Sequence, residues 1–187
     1  GSMRVIAGNY KGRHLKSVAG TSTRPTSDKL KEAIFSMIGP FFDGGYCLDL
    51  FAGSGALGIE ALSRGMEKAI FVDKSSSAIR TIKQNLADLQ LESVCEVYRN
   101  DAYRALSILT KRKMNFDLIF LDPPYEKMDY KKLLKKVVEA NIMNDRGIIY
   151  IEHKPTEEII FPENVYTIIN EKKYSAATAI TIIQKME

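Results

Sequence analysis

The chain has 187 residues, 45% of them hydrophobic and 27% charged, with a formal net charge of +4. That length fits one domain with a sizeable core; no apolar run approaches the roughly 20 residues of a membrane span and no signal peptide is visible, so a cytoplasmic protein is expected. The two cysteines and two histidines have no metal-ligand spacing, so no metal is expected, and Cys47 and Cys95 read as buried thiols within apolar runs.

Gly1-Ser2 reads as the remnant of a removed tag, and the reading starts at Met3. The charge is uneven. Between Arg4 and Gly39 stand seven basic residues (Arg4, Lys11, Arg13, Lys16, Arg24, Lys29, Lys31) against two acids, Asp28 and Glu32. Beyond Gly39 the counts are 20 and 21. A basic N-terminal segment on a neutral body fits a polyanionic partner such as nucleic acid, or ordinary surface solubility; charge alone does not separate the two.

In chain order, residues 4–20 read as a small β-hairpin or extended arm, with Gly8-Asn9 and Lys11-Gly12 as turn signals. Arg24-Pro25 is extended, and Thr26 or Ser27 caps a helix that buries Leu30, Ala33, Ile34, Met37 and Ile38 and stops at Gly39-Pro40. Strand and helix then alternate. Strands are expected at 46–51, 68–73, 94–99, 116–121 and 147–152. Helices are expected at 56–64, 75–89, 102–111 and 130–140, the last with Lys131, Lys132, Lys135 and Lys136 outward. Residues 165–174 and 177–184 form a closing hairpin. The whole predicts an α/β domain over 26–187: a seven-stranded, mostly parallel sheet with a C-terminal antiparallel hairpin. Residues 3–25 form the basic arm.

The turn after the first central strand runs from Asp49 to Gly58 and holds Gly53-x-Gly55-x-x-Gly58, with Asp73 ending the next strand. This matches the dinucleotide fingerprint, so NAD must be weighed. Asp49, four residues before the first glycine, separates the readings. A pyrophosphate at the helix N-terminus would be repelled by a carboxylate. The sulfonium and ammonium of S-adenosylmethionine would be attracted. The plain alternative is a tight turn without a ligand. Asp101 follows the third strand, where it could accept from an adenine amine, cap the next helix, or both.

Asp122-Pro123-Pro124-Tyr125 follows the apolar strand 116–121. Two prolines supply no N–H to a ladder, so the chain leaves the sheet at its carboxyl edge, the usual ligand edge. A carboxylate, a backbone carbonyl and an aromatic ring stand together there. Asp122 and the Pro123 carbonyl suit the two hydrogens of an exocyclic amine, while Tyr125 offers a face for a stacked base. A paired base could not enter, so the target must be unstacked or flipped. The bland reading is a strand-ending turn.

These pieces resemble the bacterial RsmD-type methyltransferases, which methylate the N2 amine of a guanine in 16S ribosomal RNA. The resemblance spans about Arg4 to Lys185. Its most specific parts are Arg4-Val5-Ile6-Ala7-Gly8 with Lys11-Gly12-Arg13, then Thr23-Arg24-Pro25-Thr26, then Lys31-Glu32-Ala33-Ile34-Phe35, then the run from Asp49 to Ala61. The Asp-Pro-Pro-Tyr loop is common to amine-methylating relatives and does not choose the base. The resemblance implies a Rossmann-like class I fold and S-adenosylmethionine as cofactor. It implies that Asp49, Phe51, Ala52, Gly53, Ser54, Gly55, Asp73, Lys74, Asp101 and Ala102 line the cofactor site. Asp122, Pro123, Pro124 and Tyr125 would hold the base. Arg4, Lys11, Arg13, Lys16 and Arg24 would contact 16S rRNA or an assembling 30S subunit. A monomer is expected. Two departures stand out: Lys31 where arginine is usual, and Tyr174-Ser175 where Tyr-Gly is usual, which puts the last turn in question. The rival readings are an adenine-N6 methyltransferase on RNA or DNA and a non-catalytic rRNA-binding assembly factor.

Overall fold

The computed structural model describes residues 3–19 and 26–187. Arg24, with the arm's last residues, lies outside them. Strands β1 (Met3–Arg4) and β2 (His14–Leu15) pair antiparallel as the small hairpin. Helix α1 (Asp28–Ile38) is capped by Ser27, whose Oγ accepts from the Leu30 N–H. Then follow β3 (Tyr46–Asp49), α2 (Ala56–Ser63), β4 (Lys68–Asp73), α3 (Ser76–Asp88), β5 (Cys95–Arg99), α4 (Ala102–Lys111), β6 (Phe116–Leu121), α5 (Tyr130–Glu139), β7 (Met143–His153), β8 (Tyr166–Lys173) and β9 (Ala179–Lys185).

The large sheet has seven strands in the order β5-β4-β3-β6-β7-β9-β8. Strands β5 to β7 in that order are parallel; β9 runs antiparallel to both β7 and β8. The chain winds outward one way from β3 and the other way from β6. These two strands are neighbours, so the crevice above their carboxyl ends is the topological switch point. Each face of the sheet has its own core. Hairpin residues Met3, Val5 and Leu15 join α1, α2 and α3 over one face, where Phe35 packs against Phe120 and Phe120 against Tyr150. Helices α4 and α5 cover the other, burying Leu106, Leu133 and Val137.

The hairpin is bound to the body. Glu60 of α2 accepts from the Ile6 and Ala7 N–H groups at 2.9 and 3.1 Å, and Asn85 of α3 exchanges two hydrogen bonds with the Lys16 backbone. Lys31, with no exposed side-chain area, reaches the Arg4 carbonyl and lies 3.5 Å from Glu60. Burial lowers its pKa, which Glu60 partly offsets. The basic segment therefore presents less surface charge than its composition implies.

Some boundaries differ from the sequence expectation. β3 ends at Asp49 rather than at residue 51. β7 begins at Met143 rather than 147, because Met143 pairs with Phe116 and the register then shifts before Leu118. Asn144-Asp145-Arg146-Gly147, of turn composition, forms an irregularity inside β7: the β6 partners step from Phe116 to Leu118 while the β7 partners step from Met143 to Ile148, with Arg146 at a φ of 66°. Cys47 is buried; Cys95, towards the sheet edge, is only half-buried. Among the described residues no helix is long and apolar enough to cross a membrane.

Candidate active site

Five acids stand along one edge of the sheet. In spatial order Asp101 follows β5, Asp73 ends β4, Asp49 ends β3, Asp122 follows β6, and Glu152 is the penultimate residue of β7. Sequence reasoning found the first four and missed Glu152. The signal was present: like Asp49 and Asp73, Glu152 ends an apolar strand run.

The glycine turn is shaped by Asp49 and Asp73. Gly53 and Gly55 hold φ values of 56° and 85°, conformations that favour glycine. Gly58 is required for packing instead: a Cβ there would lie 2.4 Å from the Phe71 ring. Asp73 accepts from the Gly53 N–H at 2.9 Å and from the Ser75 N–H at 2.9 Å, so it holds the turn and keeps acceptor capacity for a hydroxyl. Asp49 accepts from the Gly58 N–H at 3.1 Å, inside the first turn of α2. Its side chain is buried, which pushes its pKa up to about 7; the Gly58 bond opposes this and Asp73 adds to it. Nothing lies within 4 Å of where a Gly53 Cβ would sit, so the turn faces open space.

Ala52 is buried and donates to the Val72 carbonyl, while Phe51 is half-buried. Ser54 is tied to the rest of the fold in two ways. Its carbonyl accepts from the same Asn85 that binds Lys16, and its hydroxyl faces the Met3 sulfur. The hairpin is thereby linked to the glycine turn. Lys74 is exposed, and its carbonyl accepts from Arg99. Asp101 is exposed and caps α4 through the Tyr103 N–H, beside half-buried Ala102; its second oxygen is available to another donor.

Across the switch point, Asp122 continues the β6–β7 register in which Leu121 pairs with Ile151, which puts it opposite Glu152. Desolvation first, and then the adjoining Glu152 carboxyl, raise the Asp122 pKa well above the usual carboxylate range. Asp49 adds a smaller push; it ends β3, the hydrogen-bonded neighbour of β6. Pro123 is buried and Pro124 exposed. The Tyr125 hydroxyl donates to Glu152 Oε2 at 3.0 Å and lies 3.4 Å from Thr178 Oγ1, so the half-buried ring is anchored at its far end. Burial raises its pKa. Thr178 belongs to the turn whose Tyr174-Ser175 departed from the family pattern. That turn closes regardless: the Tyr174 and Ser175 N–H groups donate to the Thr178 carbonyl, and Ser175 Oγ accepts from Ala177.

The candidate RNA contacts lie apart from this edge, on the hairpin. Arg4, Lys11, Arg13 and Lys16 are all exposed. Arg4 pairs with Asp28 at 2.9 Å, Arg13 donates to the Asp88 carbonyl, and Lys16 lies 3.9 Å from the Asp88 carboxylate. Among the described residues no cluster of three or more His, Cys, Asp or Glu could hold a metal ion.

Residues 3–183 match the profile of the family described as Conserved hypothetical protein 95. The chain is 53% identical to the YlbH protein of Bacillus subtilis (strain 168), over 98% of this chain and 99% of that one. It is 34% identical to the ribosomal RNA small subunit methyltransferase D of Haemophilus influenzae, over 92% and 89%. Among solved structures, the yhhF protein of Escherichia coli superposes with a TM-score of 0.85 at 29% identity, over 100% and 99% of the two chains.

Proposed function

The chain belongs to the ribosomal RNA small subunit methyltransferase D family, and from that premise we propose that it transfers a methyl group from S-adenosylmethionine to the N2 amine of a guanine in 16S rRNA. One observation carries the reading: the Asp122–Tyr125 loop adjoins the Asp49–Gly58 turn at the switch point, so an amine and a methyl donor can meet there.

Asp49 supports a cationic cofactor over a dinucleotide. Its carboxylate already takes the Gly58 N–H, one of the α2 donors that a pyrophosphate would need. Among the described residues no cation pairs with this buried carboxylate, which gains from a positively charged ligand. Asp73 offers its remaining lone pairs to ribose hydroxyls, and the bare Gly53 backbone permits close approach. When bound, S-adenosylmethionine supplies an activated methyl group. The residues then align the amine: Asp122 and the Pro123 carbonyl accept its two hydrogens, and the anchored Tyr125 ring stacks on the base. Alignment at about 3–3.5 Å, rather than a strong base, supplies most of the acceleration. The amine becomes acidic as it gains the methyl and loses a proton to the Asp122–Glu152 carboxyl pair or to water.

The RNA side rests on the exposed Arg4, Lys11, Arg13 and Lys16 of the hairpin, with Arg24 beyond the described residues. They provide charge for phosphates on the hairpin, which Asn85 ties to the glycine turn, while the acceptor loop takes one flipped base. The substrate is free 16S rRNA or an assembling 30S subunit, and the enzyme acts in the cytoplasm. The test is labelled methyl transfer to 30S particles and naked 16S rRNA from a strain lacking the gene, followed by nucleoside mass spectrometry. N2-methylguanosine is the expected product. N6-methyladenosine would replace this reading with the adenine one, and no transfer to either substrate would favour an assembly factor.

A further inference from the structure

Glu152 is an unusual residue to find buried. It is 8% exposed. Among the described residues it has no Lys, Arg or His partner; Tyr125 donates to its Oε2 at 3.0 Å and Tyr150 to its Oε1 at 2.7 Å. It also shares a hydrogen bond with another carboxyl, Asp122, whose pKa is raised. Two adjoining acids with no cation are a costly arrangement, and packing alone would not produce it. Its backbone is fixed as firmly as its side chain. Glu152 lies in the longest strand of the sheet, paired to Ile180 of β9, and the Tyr130 hydroxyl donates to its carbonyl at 2.9 Å. A rigid acceptor is thus placed beside the loop that holds the amine.

The chemistry of the two candidate bases differs at this place. The guanine edge carries three adjacent N–H donors, two on N2 and one on N1. The adenine edge carries two on N6, and its N1 is an acceptor. The Pro123 carbonyl and Glu152 are acceptors, and Asp122, which shares a proton with Glu152, still offers its other oxygen to an N–H. We infer that Glu152 is the base-selecting residue of the amine pocket, receiving the guanine N1–H while Asp122 and Pro123 hold the N2 amine. An adenine N1 in the same place would turn its lone pair towards a carboxylate and bring no donor to it. By holding the Tyr125 hydroxyl, the same carboxylate also sets the ring on which the base stacks, so selection and stacking share one anchor.

This inference rests on the proposed guanine-N2 activity, and its test separates the two. The substrate is a 16S rRNA fragment carrying the methylated guanosine either unchanged or replaced by 2-aminopurine riboside, which keeps the 2-amine but presents an N1 acceptor. The readout is kcat/KM for methyl transfer. The wild-type chain should prefer guanosine by at least about 100-fold, as sites built to pair a donor reject analogues lacking it. Glu152→Gln keeps the shape and can offer an amide N–H to the analogue. It should shrink that preference at least about tenfold without a matching loss of S-adenosylhomocysteine affinity. Wild-type transfer to 2-aminopurine within a few-fold of guanosine overturns the inference and leaves the guanine activity standing. An unchanged preference in Glu152→Gln overturns the assignment to this residue. No transfer to guanosine at all overturns the activity on which both depend.

Discussion

Replacing Asp49 with asparagine should make the cofactor-free protein more stable and the cofactor weaker. Asp49 is 2% exposed, and its pKa is raised from 3.8 to about 7. A carboxyl raised in the folded state costs nothing below its unfolded pKa. The cost grows as pH climbs past 3.8 and is complete above about 7. At roughly 1.4 kcal/mol per unit, the raised pKa of Asp49 opposes folding by about 4 kcal/mol at pH 8, where the buried carboxylate is ionised, and by about 2 kcal/mol at pH 5, where folding must protonate it. The asparagine side chain keeps an oxygen for the Gly58 N–H and removes the charge. Urea denaturation without cofactor should therefore show the variant more stable at pH 8, with the gain shrinking towards pH 5. Titration calorimetry should show the reverse for the ligand. A cationic cofactor needs ionised Asp49, so wild-type S-adenosylmethionine affinity should fall as pH drops below about 7, while the variant binds at least about tenfold more weakly at pH 8 and with a flatter profile. A stability difference that stays constant from pH 5 to pH 8 would refute the buried-charge argument. Equal cofactor affinity would refute the role of Asp49 in binding.

Three further outcomes follow from contacts elsewhere. Gly58→Ala drives a Cβ to 2.4 Å from Phe71, and should destabilise by about 1–3 kcal/mol in a denaturant melt, with Phe71→Leu recovering part of the loss. Glu60→Ala leaves buried Lys31 without its counter-charge and frees two hairpin N–H groups; a loss of about 3–5 kcal/mol is expected, with proteolysis first within residues 3–19. Charge reversal at Arg13 and Lys16 should weaken rRNA binding and lower the salt slope by about 1 per residue. An unchanged slope would remove the hairpin from the interface.

Local signals made much of the fold legible. Apolar runs of strand length alternating with helical periodicity located the sheet, and Ser27 caps α1 as its position suggests, while Ser75, read as the first residue of its helix, is the cap of α3. The glycine spacing marked the turn because each glycine answers a backbone or packing need. What escaped was non-local. The Met143 start of β7 depends on its partner Phe116, and the turn-like Asn144–Gly147 composition points the other way. The docking of the hairpin depends on Glu60, Lys31 and Asn85, polar residues whose burial has no periodic signature. Glu152 escaped for a related reason. An acid ending a strand is ordinary until the register sets it opposite Asp122 and under Tyr125. Arm and body, which composition separates, are joined through Asn85 to the glycine turn.

The most direct test of the account is Asp122→Ala, measured for methyl transfer to 16S rRNA and for S-adenosylhomocysteine binding in the same preparation. Asp122 is assigned to the amine and not to the cofactor. Transfer should fall below detection while cofactor affinity stays within a few-fold of wild type. Retained transfer, or loss of both activities in a folded protein, would contradict the placement of the amine at the Asp122–Tyr125 loop.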